Sequence, residues 1–285
     1  MSQTQSQFQA PSSTPAGIDP TRASIARVYD AALGGKDNYE IDREVLRQVA
    51  TEAPEVNDLA WSNRNFLTRS VRFLAQQGQI TQYLDCGSGL PTAENTHQIA
   101  QRVNRESTVV YVDNDPMVIA HGRALLEDNE FTHFVAADIF QPSHVLENPV
   151  VRKHIDFSSP LALLQTSTLH HYTADNGADL MREYIKALPS GSYVVIAHFF
   201  DPETSELSGL ARKMEELFLH SPMGSGMFRT QSQILAFVDG LEIVPPSPDK
   251  GPELEVCDYW WPDGPKLTEL NQVERCIAGL VARKP

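Results

Sequence analysis

The chain has 285 residues, enough to bury one large core without disulfide or metal staples. Its 23 Lys and Arg against 37 Asp and Glu leave a formal net charge of -14, so its field repels nucleic-acid phosphates and anionic membranes. The irregularly spaced Cys86, Cys257 and Cys276, the lack of an apolar run near 20 residues and the lack of a signal-peptide pattern predict a reduced, cytoplasmic protein with neither membrane nor nucleic-acid partner.

Residues 1–18 are dominated by Ser, Gln, Thr, Pro and Ala and read as a disordered tail. Asp19-Pro20 has the form of a helix start, and Ile25, Val28, Tyr29, Ala32 and Leu33 recur at helical spacing up to the stop at Gly34-Gly35. Further helices are expected over 41–51 and 57–77, the latter ended by Gly78, making 19–78 an N-terminal helical cap. From Ile80 short strands alternate with helices, the mark of a mostly parallel sheet. Strands are predicted near 80–85, 108–112, 132–136, 161–166, 192–198, 241–244 and 275–282. Helices are predicted near 92–103, 116–127, 143–152, 176–188, 203–219 and 230–239. The Pro-rich connection 245–265 leaves the final pair free to be antiparallel. The fold class is therefore α/β: a Rossmann-like, seven-stranded, mostly parallel sheet with helices on both faces and an N-terminal helical extension, its sheet domain spanning 79–285.

Three strand ends carry the chemistry. After the first comes Asp85-Cys86-Gly87-Ser88-Gly89-Leu90-Pro91-Thr92, where Gly87 and Gly89 let the backbone turn and approach a ligand and Thr92 is placed to cap the next helix. Thr92 stands where a dinucleotide fingerprint has its third glycine, which disfavours a nicotinamide-dependent oxidoreductase. Asp85 suits a ligand carrying an ammonium and a sulfonium. Asp113, ending the second strand before Asn114, is placed to accept from two ribose hydroxyls. Asp138, ending the third beside Ile139, suits the exocyclic amine of an adenine, with Met117 placed to pack on the ring. Singly each residue is ordinary turn chemistry. In this order they point to an adenosine cofactor.

These motifs resemble the class I S-adenosylmethionine-dependent methyltransferases. More narrowly, Ser24 to Tyr39, Asn63-Arg64-Asn65-Phe66-Leu67, Gly87 to Thr92 with Asn95-Thr96-His97, and Tyr111 to Pro116 resemble the actinobacterial S-adenosyl methyltransferase family, formerly a domain of unknown function. The resemblance covers residues 20–285 and implies S-adenosyl-L-methionine as cofactor, with Asp85, Gly87 and Gly89 near its methionine part, Asp113 at the ribose and Asp138 at the adenine; Ser88, Asn114, Met117 and Ile139 are expected to contact it as well. Thr166 and Ser167, ending the fourth strand, join this cofactor set. Pro91 departs from the third glycine of many class I enzymes.

Catalysis is less legible. Methyl transfer demands alignment more than a strong base. If a base exists, His170 and His171 follow the fourth strand on the same edge, although one packed and one solvated histidine is the plainer reading. Being adjacent, they lack the spacing of a zinc pair, and no metal is expected. Arg27, Tyr29, Asp37, Asn38 and Tyr39 around the double glycine read either as a lid or substrate contact or as an ordinary helix stop. Met214, Met223, Met227, Phe218 and Phe228 suit core packing or substrate contact, and Trp260-Trp261 a surface turn or a pocket wall. The acceptor is expected to be a small molecule; a non-catalytic S-adenosylmethionine or S-adenosylhomocysteine sensor is the alternative. Oligomeric state is not readable.

Overall fold

The apolar runs become strands β1 (Gln82–Cys86), β2 (Thr108–Asp113), β3 (Thr132–Ala136), β4 (Ala162–Thr166), β5 (Tyr193–Phe199), β6 (Glu242–Ile243), β7 (Glu255–Val256) and β8 (Ile277–Arg283). They form one sheet of order β3-β2-β1-β4-β5-β8-β6, with β7 also paired to β8. The computed structural model describes residues 18–91, 94–125, 129–265 and 267–285, so residues 1–17 of the expected tail lie outside it. β1 to β5 are parallel, whereas β8 runs antiparallel to β5, β6 and β7.

The sheet thus has eight strands rather than the seven expected. The addition is β7, two residues long, which pairs with Gly279 and Ala278 on β8, while β6 pairs with Arg283 and Ala282. Because β5 occupies the other edge of β8, the two short strands share one sheet position end to end. A two-residue ladder carries no period-2 signal, so the sequence pattern cannot reveal it.

The helices are α1 (Ile25–Ala32), α2 (Glu40–Val49), α3 (Asn57–Gln76), α4 (Thr96–Val103), α5 (Pro116–Leu125), α6 (Pro142–Leu146), α7 (Pro149–His154), α8 (Gly177–Ala187), α9 (Ser208–His220) and α10 (Gln231–Leu235). Alternate strand residues face opposite ways. Tyr83, Tyr111, Leu164, Val195 and Val281 pack with α3, α4, α5 and α9, while Leu84, Val110, Leu163, Ile196 and Leu280 pack with α6, α7, α8 and α10. α3 lies directly on the sheet, close enough that a Cβ on Gly279 of β8 would stand 2.6 Å from the Phe66 ring. Phe66 and Phe73 in turn meet the fully buried Trp260 edge-on at 5.3 and 5.5 Å. Trp260 is therefore core rather than pocket wall.

Several boundaries move for identifiable reasons. α1 starts at Ile25, capped by the Ser24 hydroxyl, whereas Asp19 closes a local turn with Thr21. α4 starts at Thr96, not residue 92: Asn95 and Gln98 form its capping box, and Thr92 lies outside the described residues. The helix expected over 143–152 breaks into α6 and α7 because Pro149 disfavours helix at Asn148, whose side chain instead caps α7. α9 starts at Ser208, and the helix expected to reach residue 239 tightens after Leu235 into a 3₁₀ turn, Ala236–Val238. No described helix is long and apolar enough to cross a membrane.

Candidate functional site

A cavity of about 480 Å³ opens at the carboxyl ends of β1 to β5, within the roughly 300–1,000 Å³ of small-ligand clefts. Its floor is the strand-end set: Asp85, Gly87, Ser88, Gly89, Asp113, Asn114, Asp138, Ile139, Thr166 and Ser167 all line it. Its far wall comes from α1, α2, α3 and α9.

The glycine turn is built for close approach. Gly87 and Gly89 have φ of 78° and 65°, and a Cβ on Gly87 would sit 2.4 Å from Thr168 Cγ2. Asp113 organises this loop before any ligand arrives: Oδ2 accepts from the Gly89 amide at 3.0 Å and Oδ1 from the Asp115 amide at 3.0 Å. Burial raises its carboxyl pKa above the ordinary value. Asp138 accepts from the Phe140 amide at 2.9 Å and from the Gln141 side chain. Ser167, at the end of β4, holds the left-handed φ of 57°, uncommon for a residue with a side chain and a mark of functional sites.

Asp85 is 4% exposed and accepts from the Thr96 hydroxyl at 2.6 Å. Burial pushes its pKa up to about 6, against the opposing pull of Thr96 and the Arg64 guanidinium. Arg64 lies on α3 and, with its neighbour Asn63, lines the cavity. Asn63 donates to the Tyr29 hydroxyl at 2.7 Å, and that hydroxyl donates to the Ala60 carbonyl at 3.2 Å. Four buried lining atoms lack a hydrogen-bond partner among the described residues: Asn63 Oδ1, Arg64 Nη2, Ser88 Oγ and His170 Nδ1. Unsatisfied buried groups carry a desolvation cost, and here they converge on a space a polar ligand can fill.

Both expected histidines line this cavity, on the 3₁₀ turn Leu169–His171. His170 stacks on Phe199 at 3.7 Å, and His171 Nδ1 lies 2.8 Å from Ser225 Oγ. Burial depresses both pKa values, that of His171 to about 3, so neither ring is cationic at neutral pH. The turn is held by Arg229, which donates to the carbonyls of Leu169 and Tyr172 at 2.9 and 2.7 Å and to His198 Nε2 at 2.8 Å.

Not every residue expected near the cofactor reaches the cavity. Met117 is buried in the core on the α5 side and does not line it. Of the N-terminal group only Tyr29 is a lining residue. Arg27 is buried in an ion pair with Asp42 at 2.8 Å, Tyr39 caps α2 beneath the Arg27 guanidinium, and Asn38 donates to Asp30 at 2.8 Å. Asp37 stands 3.6 Å from His121 of α5. Conversely Ser24, Asn63, Arg64, Asp115, Thr168 and Phe199 line the cavity although the sequence does not single them out as site residues, and Phe218 and Met223, expected in packing or substrate contact, line it too. The run Asn63 to Leu67 had been noted as a motif, but nothing in it announces which helix face meets a ligand.

With this geometry in place, the comparisons decide the family. A family model described as S-adenosyl methyltransferase matches residues 11–285. The chain is a member of that S-adenosyl methyltransferase family. Its cofactor is S-adenosyl-L-methionine, and the methyltransferase-type sheet above is the family fold. A Thermobifida fusca protein, itself only provisionally described as a methyltransferase, is 37% identical, with 96% of this chain and 99% of that one covered at a TM-score of 0.87. A DUF574 family protein of Streptomyces avermitilis is 33% identical, with coverages of 93% and 98% and a TM-score of 0.83. No protein of curated description matches the chain.

Proposed function

We propose that this family member transfers a methyl group from S-adenosylmethionine to a small-molecule acceptor inside the cavity. The observation that carries the reading is the unpartnered Arg64 guanidinium nitrogen buried opposite the ordered carboxylates Asp85, Asp113 and Asp138. That donor and acceptor set fits a zwitterionic amino acid joined to a nucleoside. Arg64 takes the methionine carboxylate, Asp85 faces the ammonium, the backbone of Gly87, Ser88 and Gly89 lies along the chain, and Asp113 with Asn114 takes the ribose. Asp138 and Ile139 take the adenine, with Thr166 and Ser167 closing the β4 side. When bound, the cofactor would supply an electrophilic sulfonium methyl group to an acceptor lone pair and leave as the neutral thioether, with the acceptor's proton released to bulk solvent as product leaves. The protein's own contribution is alignment and exclusion of water, for which neutral His170 and His171 are placed to accept a hydrogen bond from the acceptor.

Calorimetry tests the cofactor half, with negligible heat expected from NAD and clear binding of S-adenosylhomocysteine. The pH dependence follows from Asp85. Its pKa is raised from 3.8 to about 6 in the free protein, so the free fold favours the protonated acid and loses that advantage as pH rises through about 6. A bound ammonium reverses the preference and expels the proton. Affinity is therefore expected to rise about tenfold from pH 5 to pH 7 and then level, with proton release near pH 6. A flat profile, or tighter NAD binding, refutes the assignment. Release of S-adenosylhomocysteine when the protein meets labelled S-adenosylmethionine and cell extract separates an enzyme from a sensor.

The segment 23–39 acts in this reading as a lid. Ala23, Ser24, Ala26, Val28, Tyr29 and Ala32 face the cavity, and the Ser24 hydroxyl donates to Asp115 in the loop after β2, a latch between lid and cofactor loop. The Asp30–Asn38 bond braces the segment internally, and the Arg27–Asp42 pair fastens it to α2. Amide hydrogen exchange in residues 23–39 is expected to slow when S-adenosylhomocysteine binds, because ligand contacts suppress local opening. Protection confined to the strand-end loops would count against a lid.

A further inference from the structure

The same cavity has a second half, beyond the strand ends, whose chemistry differs. Val28, Leu46, Val56, Leu59, Phe218 and Met223 line it and belong to one apolar cluster. Among the described lining residues from α1, α2, α3 and α9, Arg64 is the one charged side chain, and the cofactor's carboxylate claims it. An ammonium or carboxylate seated against this wall would have no counter-charge, and its uncompensated desolvation costs several kcal/mol.

Tyr29 and Asn63 are bonded to each other on the α1–α3 wall, and the polar groups beside Phe199 and Phe218 are the two imidazoles. His170 is 1% exposed, and its Nδ1 has no hydrogen-bond partner among the described residues. His171 has Nδ1 engaged with Ser225, and its Nε2 has no hydrogen-bond partner among the described residues. Both side chains line the cavity, and both are held by the Arg229-braced turn. A neutral imidazole nitrogen calls for a neutral donor or acceptor, and a hydroxyl group is both. Burial keeps both rings neutral, in agreement with that pairing.

Resting on the methyl-transfer reading, we infer that the acceptor is an uncharged, largely apolar alcohol or phenol whose hydroxyl is held by His170 and His171 against the wall of Phe218 and Met223. An amine that is protonated in solution, or a carboxylic acid, is excluded by the same wall.

The test is ligand-observed NMR on protein saturated with S-adenosylhomocysteine, using two matched probe series: naphthol, naphthylmethylammonium and naphthoate, and octanol, octylammonium and octanoate. At least one alcohol is expected to bind, about tenfold or more tighter than either charged member of its series. Met223→Trp, which fills the apolar wall, is expected to abolish alcohol binding while S-adenosylhomocysteine still binds. His171→Phe, or His171→Gln should the first fail to fold, is expected to weaken the alcohol about fivefold while leaving binding of methylnaphthalene unchanged. Charged probes binding as tightly as the alcohols, or no alcohol binding to the S-adenosylhomocysteine-loaded protein, overturns the inference alone. Failure of S-adenosylhomocysteine to saturate the protein overturns the cofactor reading and the inference with it.

Discussion

Asp113→Ala is expected to weaken S-adenosylhomocysteine binding by about 2–4 kcal/mol, because in the proposed pose charge-assisted hydrogen bonds to two ribose hydroxyls would be lost together. The structure adds a second reason. Both carboxylate oxygens are already engaged with the amides of Gly89 and Asp115, so the side chain holds the glycine turn in its ligand-ready shape. Losing it costs order in the free loop as well as contacts in the complex. Burial disfavours the charged carboxylate, so its removal also relieves a desolvation cost, and the unliganded thermal midpoint is expected to move little. Asp113→Asn retains one amide-accepting oxygen and should fall between parent and alanine. Parent-like affinity in isothermal titration of Asp113→Ala would end the ribose assignment.

The largest expected effect on stability is at Arg229. The residue is 8% exposed, and its side chain makes no ion pair among the described residues. Its hydrogen bonds go to two carbonyls and to His198 Nε2, its guanidinium lies 5.3 Å from the Phe237 ring centroid, and burial lowers its pKa. His198 is fixed to match, donating from Nδ1 to the Phe199 carbonyl at 2.6 Å so that Nε2 is free to accept. Arg229→Met removes the fork, leaves buried His198 Nε2 without its donor and takes one donor each from the Leu169 and Tyr172 carbonyls, for an expected loss of about 3–5 kcal/mol. For a chain of this size that is roughly a 5–8 °C fall in thermal midpoint. Arg229→Lys keeps the charge but not the planar fork and should recover only part of the loss. A midpoint unchanged in Arg229→Met would show that solvent replaces these bonds.

The strand-end half of the site was legible because topology does the work: acidic or glycine tips after consecutive apolar strands must converge on one sheet edge. Asp85, Gly87, Ser88, Gly89, Asp113, Asn114, Asp138, Ile139, Thr166 and Ser167 share the cavity for that reason alone. The helical half was not legible in the same way. Asn63 and Arg64 sit on a 20-residue helix, α3, and which of its faces meets a cavity is set by docking against segments far along the chain. Phe218 and Met223 suit packing or substrate contact from sequence, and in the structure both pack in the apolar cluster and line the cavity. Met117 shows the opposite failure: it follows the right strand, but its side chain turns into the core. Arg27 pairs with Asp42 on the next helix rather than with Asp30 three residues on, a pairing that helical spacing does not encode.

The anchoring of α3 also bears on the order in which the chain folds. Its Asp58 accepts from Asn271, 213 residues away, its Ser62 bonds Asp258, 196 residues away, and its Arg69 donates to the Cys257 carbonyl, 188 residues away. Closing loops of that length costs entropy before any contact rewards it, which places such contacts late on a folding route. β1 and β2, by contrast, are joined by a short crossover and can pair early. The glycine turn between them can therefore take shape while the wall bearing Asn63 and Arg64 is still unanchored. The cavity is therefore expected to be completed only when these long-range contacts to α3 form.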